Sequence, residues 1–180
     1  REQRHRRDEL AKIELEEYMA KWAVPRTLAD IPEEVVELAK RQLLNALSNS
    51  IRAFNYSLGR GTRASALENL PADGSPAATI FGLRRKTTVQ DSILYLGSLV
   101  RDLDKDLTFL GEEPSHPDDN LAVLLAVAEA ENKSGEEVLL AFILAQEVQV
   151  RLASALKLRD NGIDHVACVA ISAALGIAKL

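Results

Sequence analysis

Apolar side chains recur every three or four residues along most of this chain, which is the spacing of amphipathic helices. The pattern predicts seven helices, over residues 8–22, 30–54, 63–70, 88–103, 121–129, 134–158 and 164–180. A β-like run at 78–81 and the following segment at 84–88 predict one short β-hairpin. The sequence therefore indicates an all-α fold, a compact multi-helix domain over residues 1–180 with at most one short β-hairpin.

Local signals set the starts of two of these helices. Asp30 is expected to cap the second helix, and Ser134 with Glu137 forms a capping-box pattern at the start of the sixth. The buried stripe of the second helix is predicted to comprise Val35, Val36, Leu38, Leu43, Leu44 and Leu47.

Both ends of the sequence lack the usual signals. Arg1 stands where a start methionine is expected, and Leu180 ends inside an apolar helical pattern without a capping residue. We therefore expect these residues to be part of a longer protein. Residues 1–12 are rich in arginine but interleaved with acids, which indicates a solvated polar terminal segment rather than the remnant of a transit peptide.

Charge and cysteine content narrow the classes of function. Lys and Arg number 22 against 27 Asp and Glu, and this net charge of −5 argues against a general nucleic-acid binder. The single cysteine, Cys168, excludes an internal disulfide framework, and no Cys and His set has zinc-ligand spacing, so we expect no metal site. Apolar runs stay shorter than about 18 residues, so we expect no membrane span. The composition fits a reducing compartment, either the cytoplasm or the mitochondrial matrix.

The loop at 102–120 concentrates groups that take part in chemistry. It carries carboxylates, a lysine, a hydroxyl and an imidazole between two apolar helices, and catalytic groups commonly lie on loops that rigid helices hold. His116 is a candidate because Pro117 fixes the backbone beside it, although an ordinary loop histidine fits the pattern equally well. Asp118 and Asp119 have an alternative role as caps of the next helix.

His165 is the second candidate. The predicted last helix places it in the first turn, where the partly positive helix terminus lowers the pKa of an imidazole and attracts anions. The alternative is a histidine that merely packs at a helix end. Cys168 follows one turn later on the same side and is interpreted as a buried, inert thiol.

Five segments of the chain occur in the order of motifs of one known family. They are 28–40, 78–82, 99–104, 115–121 and 162–165. They resemble the MmgE/PrpD family, most closely its 2-methylcitrate dehydratase branch, in which the last two segments match the HPsDn and GfdH motifs. The resemblance extends over residues 28–180.

The resemblance implies a cofactor-independent lyase of propionate metabolism that eliminates water from a small tricarboxylate such as 2-methylcitrate. Other members of the family are decarboxylases or epimerases, which leaves these reactions open as alternatives. The family also implies that the chain is the N-terminal helical part of a longer, homodimeric enzyme whose second, α/β domain lies outside these residues. No nucleic-acid or membrane partner is implied.

The active-site positions of the family correspond here to Asp104, Thr108, His116 and His165. The two histidines are expected to serve as acid and base, in an order that the motifs leave open. Asp104 is then expected to orient an imidazole, and Thr108 to bind a substrate carboxylate. Lys105 or Arg101 is expected to supply a cation for the substrate.

Two positions depart from the family pattern. Lys105 stands where an aromatic residue is usual, and Leu107 stands where a carboxylate is usual. Leucine offers no hydrogen-bonding or acid/base group. Together with the shortness of the chain, these departures favour an alternative in which the domain is a non-catalytic family member that dimerises or binds a partner.

Overall fold

The fold is known from a computed structural model, which describes residues 14–180. Within that range it contains seven α-helices: α1 Leu15–Ala23, α2 Glu33–Ala53, α3 Ser57–Glu68, α4 Val89–Arg101, α5 Asn120–Ala130, α6 Gly135–Ala155 and α7 Ala167–Lys179. The mainly α-helical class predicted from the spacing is confirmed. The polar terminal segment 1–12 and the predicted start of the first helix lie outside the described residues.

Two short hairpins interrupt the helices. Strand β1 (Ala77–Thr79) pairs antiparallel with β2 (Lys86–Thr88), as the sequence predicts. Strand β3 (Phe109–Leu110) pairs antiparallel with β4 (Pro114–Ser115), so the expectation of at most one hairpin was wrong. The second hairpin escapes a sequence pattern because two residues per strand cannot establish an alternation of polar and apolar positions.

Helix α6 lies at the centre of the fold. Ala141, Phe142 and Ala145 are fully buried, and Phe142 packs in one cluster with Leu121 and Leu124 of α5. By length and composition α6 would also be apolar enough to cross a membrane, but 67% of its most apolar window is buried inside this domain. Its apolar surface is therefore that of a core helix. A second cluster joins α4 to the first hairpin through Tyr95, Leu99 and Ile80, among other residues.

Helix α2 does not bury the stripe that its spacing predicts. Leu38 and Leu44 are 52% and 69% exposed, and Val35 is exposed as well, whereas Val36, Leu43 and Leu47 are partly buried. The fully buried face instead consists of small residues, Ala39, Ala46, Asn49, Ser50 and Ala53. Alanines let α2 approach its neighbours closely, so the core face is set by small size rather than by the largest apolar side chains.

Asp30 also has a different role from the one predicted. Its Oδ2 accepts hydrogen bonds from Thr27 N at 2.8 Å and Thr27 Oγ1 at 2.9 Å, which closes a capping box on the short 3₁₀ turn Leu28–Asp30. Helix α2 begins after Pro32 without a side-chain cap. Where the next turn is itself helical, a single aspartate cannot be assigned to one helix start from sequence alone. By contrast, Ser134 and Glu137 form the predicted capping box of α6.

Helix α3 begins at Ser57, earlier than the predicted 63–70. The prediction began too late because Gly59 and Gly61, which lie inside the helix, suggested a loop. Gly59 is buried where α3 packs on α4, and a Cβ there would lie 2.7 Å from Leu99 Cδ2 and 2.8 Å from Ala53 O. Gly61 has no atom within 4 Å of the corresponding point. Gly59 therefore indicates a close helix contact rather than the loop that the sequence suggested, whereas Gly61 faces open space.

These two glycines form a matched pair for a stability test. Gly61→Ala is expected to raise the free energy of unfolding by roughly 0.5–1 kcal/mol, because alanine restricts the unfolded chain and meets open space. Gly59→Ala is expected to lower it by about 1–3 kcal/mol, because its methyl group overlaps Leu99 and a main-chain carbonyl. Urea unfolding of both variants measures the difference. Equal stabilities would contradict the close α3–α4 approach.

Candidate active site

His116 and His165 lie face to edge in the folded chain. Their ring centroids are 5.8 Å apart with an interplanar angle of 62°. His116 directly precedes the 3₁₀ turn Pro117–Asp119 that leads into α5, and His165 lies in the turn before α7. The side chains are 15% and 21% exposed, so both rings are accessible and largely desolvated. The structure thus brings together the two histidines that the sequence singled out separately.

Nδ1 of His116 has one hydrogen-bond partner and one carboxylate close by. This nitrogen lies 2.9 Å from Asp106 Oδ2 and 3.1 Å from the carbonyl oxygen of Leu107. Because both partners only accept, Nδ1 carries the proton and donates it. In the neutral ring the lone pair therefore lies on Nε2, which is the form of a general base.

Asp106 is the carboxylate beside Nδ1 of His116, and the sequence motifs did not single it out. Its side chain is only 2% exposed and forms an ion pair with Arg101. Arg101 Nε also lies 3.6 Å from Asp119 Oδ1. The Arg101 guanidinium therefore neutralises the protein's own acids, a role different from the substrate cation expected of it.

The remaining predicted residues of this loop face outward. Asp104 is exposed and has a left-handed backbone conformation with φ 48°, while Lys105 and Thr108 are exposed beside it. The main-chain carbonyl of Lys105 accepts a hydrogen bond of 2.8 Å from Asn49 Nδ2, which anchors the loop to α2. Within this loop the Asp106 side chain is therefore turned inward, whereas Asp104, Lys105 and Thr108 are exposed.

Asp118 holds this loop through its main chain. Its Oδ2 accepts a hydrogen bond of 2.9 Å from Leu107 N. Neither Asp118 nor Asp119 makes the side-chain capping bond that the sequence allowed, since the cap residue of α5, Asp119, forms none. Burial raises the pKa of Asp118, and burial raises the pKa of Asp119 as well.

Oxygens of Asp106, Asp118 and Asp119 lie within 4.8 Å of one another. Three carboxylates at this spacing are the ligand set that a hard divalent cation prefers. In this site the Arg101 guanidinium pairs with two of the three and already supplies positive charge.

His165 has a carboxylate of its own. Its Nδ1 lies 3.0 Å from Asp164 Oδ1, and the same oxygen accepts a hydrogen bond from Val166 N at 3.0 Å. Helix α7 begins at Ala167 rather than at Asp164, so the ring lies just before the helix and not in its first turn. Cys168, one turn later, is buried, and burial raises the pKa of its thiol, which fits the inert role expected of it.

The segment that leads to His165 is fastened by Glu113, a buried acid that the sequence did not distinguish from exposed ones. Its carboxylate accepts hydrogen bonds from Arg159 N at 3.0 Å and Arg159 Nε at 2.8 Å. The main-chain bond from Arg159 is the largest influence that lowers the pKa of Glu113. Its own N–H donates to Ala153 O at 2.8 Å, so the second hairpin, the end of α6 and the approach to His165 are connected.

The buried carboxyl of Asp118 has a predictable effect on stability. Its folded-state pKa is raised, so its contribution to stability is lost as pH rises through that pKa. Asp118→Asn keeps an acceptor for Leu107 N–H but removes the charge. Its stability relative to the unmodified protein should therefore grow from about pH 4 to pH 7. Urea unfolding across that range measures it, with exposed Asp73→Asn as the control. A difference that shrinks with rising pH would contradict the prediction.

Comparison with known proteins gives this geometry a context. The profile of the MmgE/PrpD N-terminal domain matches residues 17–180. The chain is 29% identical over 177 residues to the probable 2-methylcitrate dehydratase of Saccharomyces cerevisiae, covering 86% of this chain and 34% of that protein. It is 23% identical over 183 residues to the 2-methylcitrate dehydratase of Cupriavidus necator, covering 93% and 35%. A match of 30% over 95 residues relates 47% of the chain to 20% of the 2-methylcitrate dehydratase of Escherichia coli.

The chain spans about a third of the length of the yeast and Cupriavidus relatives. The profile match covers nearly all of the described residues, and it includes both histidines and the whole loop between α4 and α5. The resemblance found in the sequence motifs is therefore confirmed: the chain belongs to the MmgE/PrpD family.

Proposed function

We propose that this domain supplies the acid and the base for elimination of water from a 2-methylcitrate-like tricarboxylate. The observation that carries the proposal is the pair of imidazoles 5.8 Å apart, each with a carboxylate on Nδ1. The names of the yeast and bacterial relatives support the substrate class. As the chain matches only part of those proteins, the activity of the whole enzyme is part of the proposal.

His116 is the base in this proposal. Its Nε2 lone pair takes the proton from the carbon next to a substrate carboxylate, and the C–H electron pair becomes the new carbon–carbon double bond. The positive charge that develops on the ring faces the Asp106 carboxylate at 2.9 Å. That contact favours the charged ring in the transition state.

His165 is the acid. Its protonated ring donates to the departing hydroxyl while the carbon–oxygen bond breaks, so the hydroxyl leaves as water. The partner carboxylate, Asp164, is 68% exposed, so this side of the proposed site is open to solvent. His116 ends the step protonated and His165 ends it neutral, and exchange with solvent restores both.

Lys105 and Thr108 are the proposed contacts for substrate carboxylates. Both are exposed on the loop that carries Asp106, whereas Arg101 is engaged by Asp106 and Asp119. Pairing with a second copy of the chain stays a prediction of the family resemblance, and a location in the cytoplasm or the mitochondrial matrix stays a prediction of the composition.

The reaction is tested by following the ultraviolet absorbance of the alkene product with 2-methylcitrate as substrate. Because each removes a proton-transfer group, His116→Asn and His165→Asn should each lower kcat by roughly 10²–10⁴-fold. Asp106→Asn should lower it less, since the base remains but loses its charged partner. The exposed Asp73→Asn serves as the matched control and should leave kcat unchanged.

A folded protein without activity on 2-methylcitrate or related acids would support the non-catalytic alternative. Activity that survives His116→Asn would contradict the assigned base. A substrate panel in which carbon dioxide is released, or in which a stereocentre is inverted without loss of water, would assign decarboxylation or epimerisation instead.

A further inference from the structure

Gln149 lies fully buried in α6 and uses both ends of its amide. Its Nε2 donates to Ser115 Oγ at 2.6 Å and to the carbonyl oxygen of His116 at 3.1 Å. Its Oε1 accepts from Asn120 Nδ2 at 2.5 Å, and Ser172 Oγ lies 3.4 Å from the same oxygen. Both the donor and the acceptor end of the Gln149 amide are therefore hydrogen-bonded.

The partners of Gln149 are also bonded to one another. Asn120 Nδ2 donates to the carbonyl oxygen of Pro117 at 3.0 Å, and Ser172 Oγ lies 2.9 Å from Asn120 Oδ1. Ser115, Asn120, Gln149 and Ser172 are all fully buried. We call these four side chains the amide network.

The amide network connects the segments that carry the two histidines. Ser115 and the carbonyl of His116 belong to the loop before α5, while Ser172 belongs to α7, which follows His165 by two residues. Gln149 stands between them on the central helix. Hydrogen bonds therefore connect the segments of both rings to one buried amide.

Packing alone does not account for such a network. The neighbouring core positions of α6, such as Phe142, Ala145 and Ala153, are apolar, and apolar side chains of the same volume would fill this space at no desolvation cost. A fully satisfied buried network instead fixes a unique arrangement, because any displacement leaves a buried polar group without a partner. At this place in the fold, the arrangement it fixes is that of the histidine pair.

We infer that Gln149 is a positioning residue that sets the separation and orientation of His116 and His165. It acts through the carbonyl of His116 on one side, and through Asn120 and Ser172 of α7 on the other. The kinetic consequence rests on the proposed function, whereas the ring geometry does not depend on it.

The first test uses Gln149→Met, which keeps the approximate volume and removes every hydrogen bond of the amide. Catalytic groups displaced by about 1 Å lose on the order of 100-fold in rate, so kcat should fall by roughly that factor with KM within about two-fold. Thr87→Val is the matched control, since it removes another buried hydroxyl, which donates to Asn69 O at 2.6 Å in the first hairpin. The control should leave kcat unchanged even if it loses stability.

A second variant gives a pH signature that a purely structural role would not. In Gln149→Glu an ionised carboxylate cannot donate to Ser115 or to the His116 carbonyl, whereas the protonated acid restores one donor. The ratio of its kcat to that of the unmodified protein should therefore rise as pH falls. A ratio that is independent of pH would contradict the positioning role.

A third test measures the geometry of the two rings by NMR and does not require the protein to be catalytically active. In the unmodified protein, NMR should show a cross-relaxation contact between the two imidazole rings and a proton on Nδ1 of His116. Gln149→Met should lose the ring contact, and Thr87→Val should keep it. If Gln149→Met does not fold, Ser172→Ala replaces it, because that change removes only the link to α7 and should weaken the ring contact while leaving the His116 tautomer intact.

The outcomes separate the two proposals. Ring contact that persists unchanged in folded Gln149→Met overturns the positioning role, whatever the activity. Ring contact that is lost in that variant, in a protein inactive on tricarboxylates, supports the positioning role and overturns the proposed function.

Discussion

The candidate site depends on how the main chain of Leu107 is held. Its N–H donates to Asp118 and its C=O accepts from His116, so both polar groups of one peptide position are bonded to side chains. The loop has neither helix nor long strand at this point, and main-chain groups shielded from water need such partners. The Leu107 side chain offers no acid or base, yet its main-chain carbonyl accepts the hydrogen bond of His116, and the Asp106 carboxylate lies beside the same ring nitrogen.

The acids around the histidines respond to burial in opposite ways. Loss of hydration on burial raises the pKa values of Asp118 and Asp119. The pKa of Glu113 is lowered instead, because the main-chain N–H and the guanidinium of Arg159 donate to its carboxylate. Arg101 serves two of the acids at once. The site therefore has more buried carboxyl groups than fixed cations.

The sequence predicts the helical architecture because apolar spacing and the Ser134 capping box are local signals. It predicts the two histidines of the site because the motifs around them are local as well. It misjudges α2, since the exposure of Leu44 depends on which neighbours α2 meets. The sequence also does not predict that the side chains of Asp106 and Gln149 are buried. An aspartate in a polar loop and a glutamine in a helix have the same local pattern whether they face solvent or the interior, and only tertiary packing decides.

The hydrogen bonds of Glu113 connect three segments of the chain near the histidines. They join the second hairpin to the end of α6 and to the 3₁₀ turn Arg159–Asn161 on the approach to His165. Proteins open locally in contiguous cooperative units, and these part-buried bonds join the three segments. We therefore expect the loop of His116 and the turn of His165 to open together, so that a fluctuation that exposed one histidine to water would also separate it from the other.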